Sequence, residues 1–188
     1  SLLAFVRASP LIVALVLLFG ITDATALAIL PVYLRTEGLS VEVAALILTV
    51  LHVGIIIAQP GLGVLLDRFN RWNVLLGCLL ISAISFMVLV ALPVTSWLLW
   101  PVAALCGAGF FGVYTTCLAL LGQEFKGGLL VVGSAVFALA YAVGGIIGPP
   151  AAGAIMEFDS RGGLVLLAII SIAGAIAVFA KRRGRPGG

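Results

Sequence analysis

Gly63-Val64-Leu65-Leu66-Asp67-Arg68-Phe69-Asn70-Arg71 is a well-charged internal stretch set between two long apolar runs. A glycine, an acidic–basic pair four and five residues on, and a second arginine three after that make a specific pattern. Its surroundings decide what it means. About 20 consecutive apolar residues cross the hydrocarbon core of a bilayer, and the runs on both sides are that long. The stretch therefore reads as a loop between two membrane-crossing helices.

Composition supports the same solvent. The chain is 63% hydrophobic and 9% charged, with a mean hydropathy of +1.34, where a soluble domain carries about 25% charged residues. One core of this size could not hide so much apolar surface, and there are too few charges to coat a water-facing exterior. The formal net charge of +3 is small, and no Lys/Arg stripe is interleaved with aromatics, which excludes a nucleic-acid partner. Cys78, Cys106 and Cys117 lie inside apolar runs with no C-x-x-C spacing, and a single histidine offers no His/Cys cluster. The cysteines read as small packing residues, and no metal or cofactor is expected.

Six spans can be placed by length, over residues 11–34, 41–66, 74–92, 97–121, 129–155 and 164–180. Residues 11–20 resemble a signal-peptide core, but the apolar run continues past Leu30 without a small-residue cleavage pattern, so a spanning helix is the better reading. The chain starts at Ser1 rather than Met, which suggests a fragment or a processed chain. The connections are short and hold the turn-forming residues, so neighbouring spans run antiparallel. The second span, residues 41–66, would be about 39 Å long as an ideal helix, more than the core thickness, which predicts tilt or a kink at Pro60. With six spans both ends share one side. That side collects Arg7, Arg68, Arg71, Lys126, Lys181, Arg182, Arg183 and Arg185, against Arg35 and Arg161 on the other. The bias predicts cytoplasmic ends.

Polar groups at depth are the candidate working parts. Asp23 lies halfway along the first span, beside Thr22 and Thr25. A charge at the bilayer centre costs about 2.5–3.5 kcal/mol on insertion scales, so such a residue faces a cavity or a partner. Low dielectric favours a neutral carboxyl, the form a proton carrier needs; a purely structural hydrogen bond is the other reading. In the second span, Thr49, His52 and Gln59 form one polar stripe about 15 Å long. It is either a cavity wall, with an imidazole able to titrate near neutral pH, or a set of interhelical bonds. Asp23 and His52 share a depth and could act as a proton-coupled pair. The fourth span carries Tyr114, Thr115 and Thr116 after the small-residue run Gly107-Ala108-Gly109-Phe110-Phe111-Gly112. Tyr114 could line a polar cavity, whereas membrane threonines often bond back to their own helix.

The fifth span holds a second motif, Tyr141-Ala142-Val143-Gly144-Gly145-Ile146-Ile147-Gly148-Pro149-Pro150-Ala151-Ala152-Gly153. Gly144 and Gly148 permit close helix crossing. The prolines remove backbone donors and should bend or loosen the helix near its outer end, which suits either packing or a hinged gate. The third and sixth spans carry no charge and few hydroxyls, and read as lipid-facing scaffold.

The loop from Gly63 to Arg71 resembles the G-x-L-x-D-R-x-x-R loop of the major facilitator superfamily of transporters. Together with the Tyr141 to Gly153 helix, six spans with cytoplasmic ends, and polar spans one, two, four and five, the whole chain is similar to one six-helix half of that family. The resemblance implies an all-α membrane protein, a 3+3 inverted repeat facing a second half across a central cavity, with the third and sixth helices outside. The pattern from Leu30 to Leu34 through the loop, and from Gly109 to Gly153, is most similar to C-terminal halves, YcaD-like transporters among them; the stretch Ala104 to Gly107 lacks the arginine of first-half antiporter helices. The near match of residues 144–153 to the first-half antiporter motif points the other way. The family implies that the loop latches the cytoplasmic side, with Gly63 allowing close approach of a helix, Asp67 accepting bonds from a basic residue or helix N-terminus, and Arg68 and Arg71 holding the loop in the cytoplasm. Asn70 replaces the usual glycine, and both tolerate a left-handed turn.

These readings lead to a transporter half in the cytoplasmic (inner) membrane that moves a small solute by alternating access, coupled to protons. Asp23, His52, Gln59, Tyr114 and Tyr141 are its expected pathway, and Gly144, Gly148, Pro149 and Gly153 its packing or gating surface. Its expected partners are the small-molecule substrate, protons, the lipid bilayer, and an N-terminal six-helix half or a second copy of the chain. An intramembrane enzyme is the remote alternative, since Ser82, Ser85 and Ser134 lack an obvious base.

Overall fold

A computed structural model describes residues 2–183. Arg185, counted above with the basic end, lies outside the described residues. Among these the chain is entirely helical: α1 (Leu2–Ala8), α2 (Pro10–Thr36), α3 (Val41–Arg68), α4 (Arg71–Ala91), α5 (Leu99–Glu124), α6 (Gly128–Met156) and α7 (Gly162–Arg183). The six helices from α2 on are long and apolar enough to cross a membrane, so this is an integral membrane protein. α1 is a short additional helix whose Phe5 is buried in the bundle.

Local chemistry sets the helix ends. α2 starts with Pro10, whose missing N–H is one the first turn leaves unbonded anyway. It stops where Gly38 adopts φ +99, a left-handed conformation that glycine reaches without strain, and Leu39 N–H donates to Leu34 O at 3.1 Å. The Ser40 side chain accepts from Val43 N–H at 3.3 Å and opens α3. α4 begins at Arg71, three residues before the expected boundary, because the Asn70 side chain accepts from Trp72 N–H at 2.9 Å and draws the polar residues into the helix. α3 and α6 run on through Pro60 and through Pro149 and Pro150 without a break in the helix.

Two apolar cores stack along the bundle. One gathers Leu34, Ala44, Leu89, Leu99, Ala152 and Leu164. The other gathers Phe5, Leu66, Leu75, Leu121, Val136 and Val178. These are opposite ends of the same six helices, so consecutive spans are antiparallel. The basic groups from Arg68 to Lys126 and from Lys181 to Arg183 all flank the second core.

Packing follows a two-fold pattern. α2 packs chiefly on α6 and α3 on α5; α4 packs on α5, α2 touches α7, and α4 and α7 pack on each other. Exchanging α2, α3, α4 with α5, α6, α7 maps this pairing onto itself, as expected for two three-helix repeats. Small residues build the two main crossings the same way. A Cβ at Gly20 would collide with the backbone of Tyr141, and one at Gly144 with the backbone of Leu17. A Cβ at Gly107 would collide with the backbone of Leu51, and one at Gly54 with that of Ala104. Gly20 thus corresponds to Gly107 and Gly144 to Gly54, and Leu17 and Ala104 each lie three residues before the first glycine. Such approach gains van der Waals contact that lipid tails cannot match.

Burial is unequal. Only 22% of the most apolar window of α3 and 28% of that of α6 is buried within the bundle, against 50% for α2 and α4, 56% for α5 and 44% for α7. α4 and α7, read from sequence as the outer scaffold, pack on each other, with Ser82 and Ser171 hydroxyls 3.0 Å apart at their buried contact. The barest helices are α3 and α6.

Candidate functional site

Asp23 is at the midpoint of α2, and Tyr141, Phe111 and Tyr114 lie within about one turn of the midpoints of α6 and α5. The α2–α6 crossing is tight enough at Gly20 and Gly144 to bring the Tyr141 hydroxyl to Asp23, where it donates to Oδ2 at 2.8 Å. This bond joins residues 118 apart in the chain. Among the described residues Asp23 makes no ion pair, and this phenol is its one hydrogen-bond donor.

Around the carboxyl is a cavity of about 200 Å³ lined by Phe19, Asp23, Phe111, Tyr114 and Tyr141. Phe19 is its hub. Its ring is near-parallel to Tyr114 at 4.8 Å and 17° and to Tyr141 at 5.6 Å and 28°, and meets Phe111 edge-on at 5.5 Å. Offset and edge-to-face contacts at these separations are favourable and hold the rings in place. Phe19 is buried, while Tyr141 keeps 38% of its surface exposed, so the cavity has a rigid back and an open side. Sequence reasoning did not single out Phe19 or Phe111. Their signal was helical spacing: Phe19 precedes Asp23 by four residues and Phe111 precedes Tyr114 by three, so each shares a face with its polar neighbour.

His52 is elsewhere. Its Nδ1 is 2.7 Å from Leu48 O, one turn back on its own helix. No hydrogen bond or ion pair links it to Asp23. The expected polar stripe divides in the same way. Thr49 donates to Ala45 O of its own helix at 2.9 Å, whereas Gln59 reaches across to α5, accepting from Thr115 Oγ1 at 3.1 Å. Gln59 Nε2 is buried without a hydrogen-bond partner among the described residues. Thr116 donates back to Gly112 O at 2.7 Å.

The charged stretch is less of a loop than expected. Gly63 to Arg68 complete α3, and only Phe69 and Asn70 lie between the helices. Gly63 has nothing within 4 Å of where a Cβ would stand, so it makes no close helix approach here. Asn70 has φ −60 and acts as a helix cap, not a left-handed turn. Asp67 accepts neither a basic side chain nor a helix N-terminus among the described residues. Arg71 folds inward and donates to Ala119 O on α5, tying the start of α4 to the end of α5. Beside it, a cavity of about 370 Å³ is lined by Leu66, Phe69, Asn70, Arg71, Trp72, Leu120, Gln123 and Glu124.

In the second motif the glycines differ. Gly144 and Gly148 are both pressed on α2, Gly148 against Ile21 and Thr25, while Gly153 is in open space. Gly153 is therefore not pressed on a neighbouring helix of this bundle. Pro149 is half-buried and Pro150 exposed.

A family model described as Major Facilitator Superfamily matches residues 11–188. The chain is also 31% identical over 131 residues to YfkF from Bacillus subtilis (strain 168), described as an uncharacterized MFS-type transporter. That match covers 69% of this chain and 33% of the relative, so the aligned region spans about a third of the relative's length.

Proposed function

We propose that this chain, which belongs to the major facilitator superfamily, forms one six-helix half of a secondary active transporter that moves a small solute by alternating access and couples it to protons. The observation that carries this reading is the Tyr141–Asp23 bond, made at mid-depth on the wall of a cavity. An ionisable group at that depth with no cationic partner is costly, and a transport pathway is the usual reason to keep one.

The coupling follows from the hydrogen-bond inventory. An ionised Asp23 only accepts, and it takes the Tyr141 proton donor from α6. A protonated Asp23 also donates, so the α2–α6 pairing it favours is a different one. The Gly144 and Gly148 contacts lie one and two turns along the same crossing, so a change at Asp23 reaches a surface where two backbones slide on each other. His52, exposed on α3, is the second polar group we assign to the pathway.

The bare faces of α3 and α6 call for a second six-helix bundle. The greater length of the relative favours one on the same polypeptide, and the resemblance of residues 30–34 and 109–153 to C-terminal halves favours this chain as the second half; a second copy of the chain is the other occupant. The basic end would then face the cytoplasm across the inner membrane. Asp67, exposed at that end, would close on the second bundle.

The test is substrate-dependent proton flux in liposomes containing the full-length protein. The Asp23→Asn, His52→Ala double variant should abolish coupling. Unchanged coupled transport in that variant would sink the proton claim.

A further inference from the structure

We infer that the Asp23 cavity selects a small organic cation with an apolar body, a quaternary or protonated amine. This rests on the transport reading above and names the substrate class of that same site. An occupant of a 200 Å³ space lined by Phe19, Phe111, Tyr114, Tyr141 and Asp23 meets from this chain four aromatic rings and one carboxylate. Aromatic faces attract a cation within about 6 Å of the ring centroid, and more strongly when water is excluded. Rings already locked against one another by Phe19 do so with little further ordering, which lowers the entropic cost of binding.

The charge distribution points the same way. Every described Lys and Arg lies at a helix end or in a connection, so none of them neutralises Asp23, and His52, the one other basic side chain at depth, makes no hydrogen bond or ion pair with it. The other six acidic residues are also at ends or in connections, which leaves Asp23 as the one carboxyl at depth. An anionic solute would face it uncompensated, and a neutral one would leave it unpaired. Only a cation gains from both the rings and the carboxylate, and this difference, more than total contact, makes selectivity. Among the described residues the one hydrogen bond at Asp23 comes from Tyr141, which holds the carboxylate in place and leaves its second oxygen, Oδ1, without a donor from them.

The experiment uses purified full-length protein and radiolabelled phenyltrimethylammonium, with tert-butylbenzene as its uncharged isostere. Saturable binding of the cation, without competition from the hydrocarbon, is expected. Asp23→Asn should weaken it at least about tenfold and Tyr114→Leu by about three- to tenfold, while Asp23→Glu and Tyr114→Phe recover most of the loss. Recovery by the conservative variants separates a lost contact from a misfolded protein. Equal competition by tert-butylbenzene, or full affinity in Asp23→Asn, overturns the inference. If that happens while substrate-dependent proton flux persists, the transport reading stands without it. If the cation binds through Asp23 but is not carried across a liposome membrane, the cation site stands and transport by this route falls.

Discussion

The α2–α6 and α3–α5 crossings are built alike and equipped differently. In both, a glycine on one helix meets a backbone carbonyl on the other, and a second glycine three residues along the partner helix returns the contact. At matching places the side chains diverge. Asp23, three residues after Gly20, corresponds to Phe110, three after Gly107. Tyr141, pressed on Gly20, corresponds to Leu51, pressed on Gly107. One crossing therefore carries a carboxyl and a phenol in hydrogen-bond contact at 2.8 Å, and the other carries two buried apolar residues, Phe110 at 2% and Leu51 at 0% exposure. Backbone fit is what the two repeats share, and polar chemistry is what one of them adds.

The comparison can be broken most severely at the glycines. Gly144→Val and Gly107→Val should each cost about 3 kcal/mol or more, because the added carbons meet backbone that cannot rotate away. Both variants should lower the thermal unfolding temperature of the detergent-solubilised protein by similar amounts. A tolerant Gly107→Val beside a ruinous Gly144→Val would show that the crossings are not equivalent scaffolds. At the divergent positions the two crossings should separate. Asp23→Asn should cut transport roughly a hundredfold with little change in unfolding temperature, given the weight that buried charged groups carry on ion pathways. Phe110→Leu should do the reverse, lowering stability by about 1 kcal/mol and leaving the transport rate near its starting value.

Smaller effects sharpen the picture. Tyr141→Phe keeps the ring and removes one hydrogen bond to a carboxylate, worth about 1.5–3 kcal/mol. Transport should fall by about tenfold and its dependence on pH should change, as measured by initial rates across a pH series. The smallest change is expected at Gln59→Leu. Its Nε2 is buried without a partner among the described residues, and interhelical side-chain bonds in membranes average about 0.6 kcal/mol, so stability should stay within about 0.5 kcal/mol of the parent. A large loss there would make the Gln59–Thr115 contact the functional counterpart of Asp23–Tyr141.

Much of this was legible before any coordinates. Apolar run length marks membrane helices directly, since the bilayer demands about 20 residues whatever the neighbours are, so six spanning helices and an all-α class followed from residues 11 to 180. Asp23 and Tyr141 were each visible as polar residues at depth, and Gly144 and Gly148 as a close-packing pair. Other features depend on which face the bundle turns inward. Gly63 and Gly153 have open space beside them within this bundle, and Asn70 caps α4 instead of making a left-handed turn. His52 and Asp23 share a depth, yet depth does not fix rotation about the helix axis, and His52 turns to its own Leu48 carbonyl. Phe19 and Phe111 went unnoticed because one more phenylalanine in an apolar run carries no signal.

By itself, then, the sequence determined the solvent, the number of spans and the end on which the basic residues collect, because each depends on composition summed along the chain. Only the tertiary structure decided that Asp23 meets Tyr141 rather than His52, that Phe19 and Phe111 close the cavity, and that α3 and α6 are left bare. These depend on how helices rotate and cross, which small residues permit but which only the packed bundle selects.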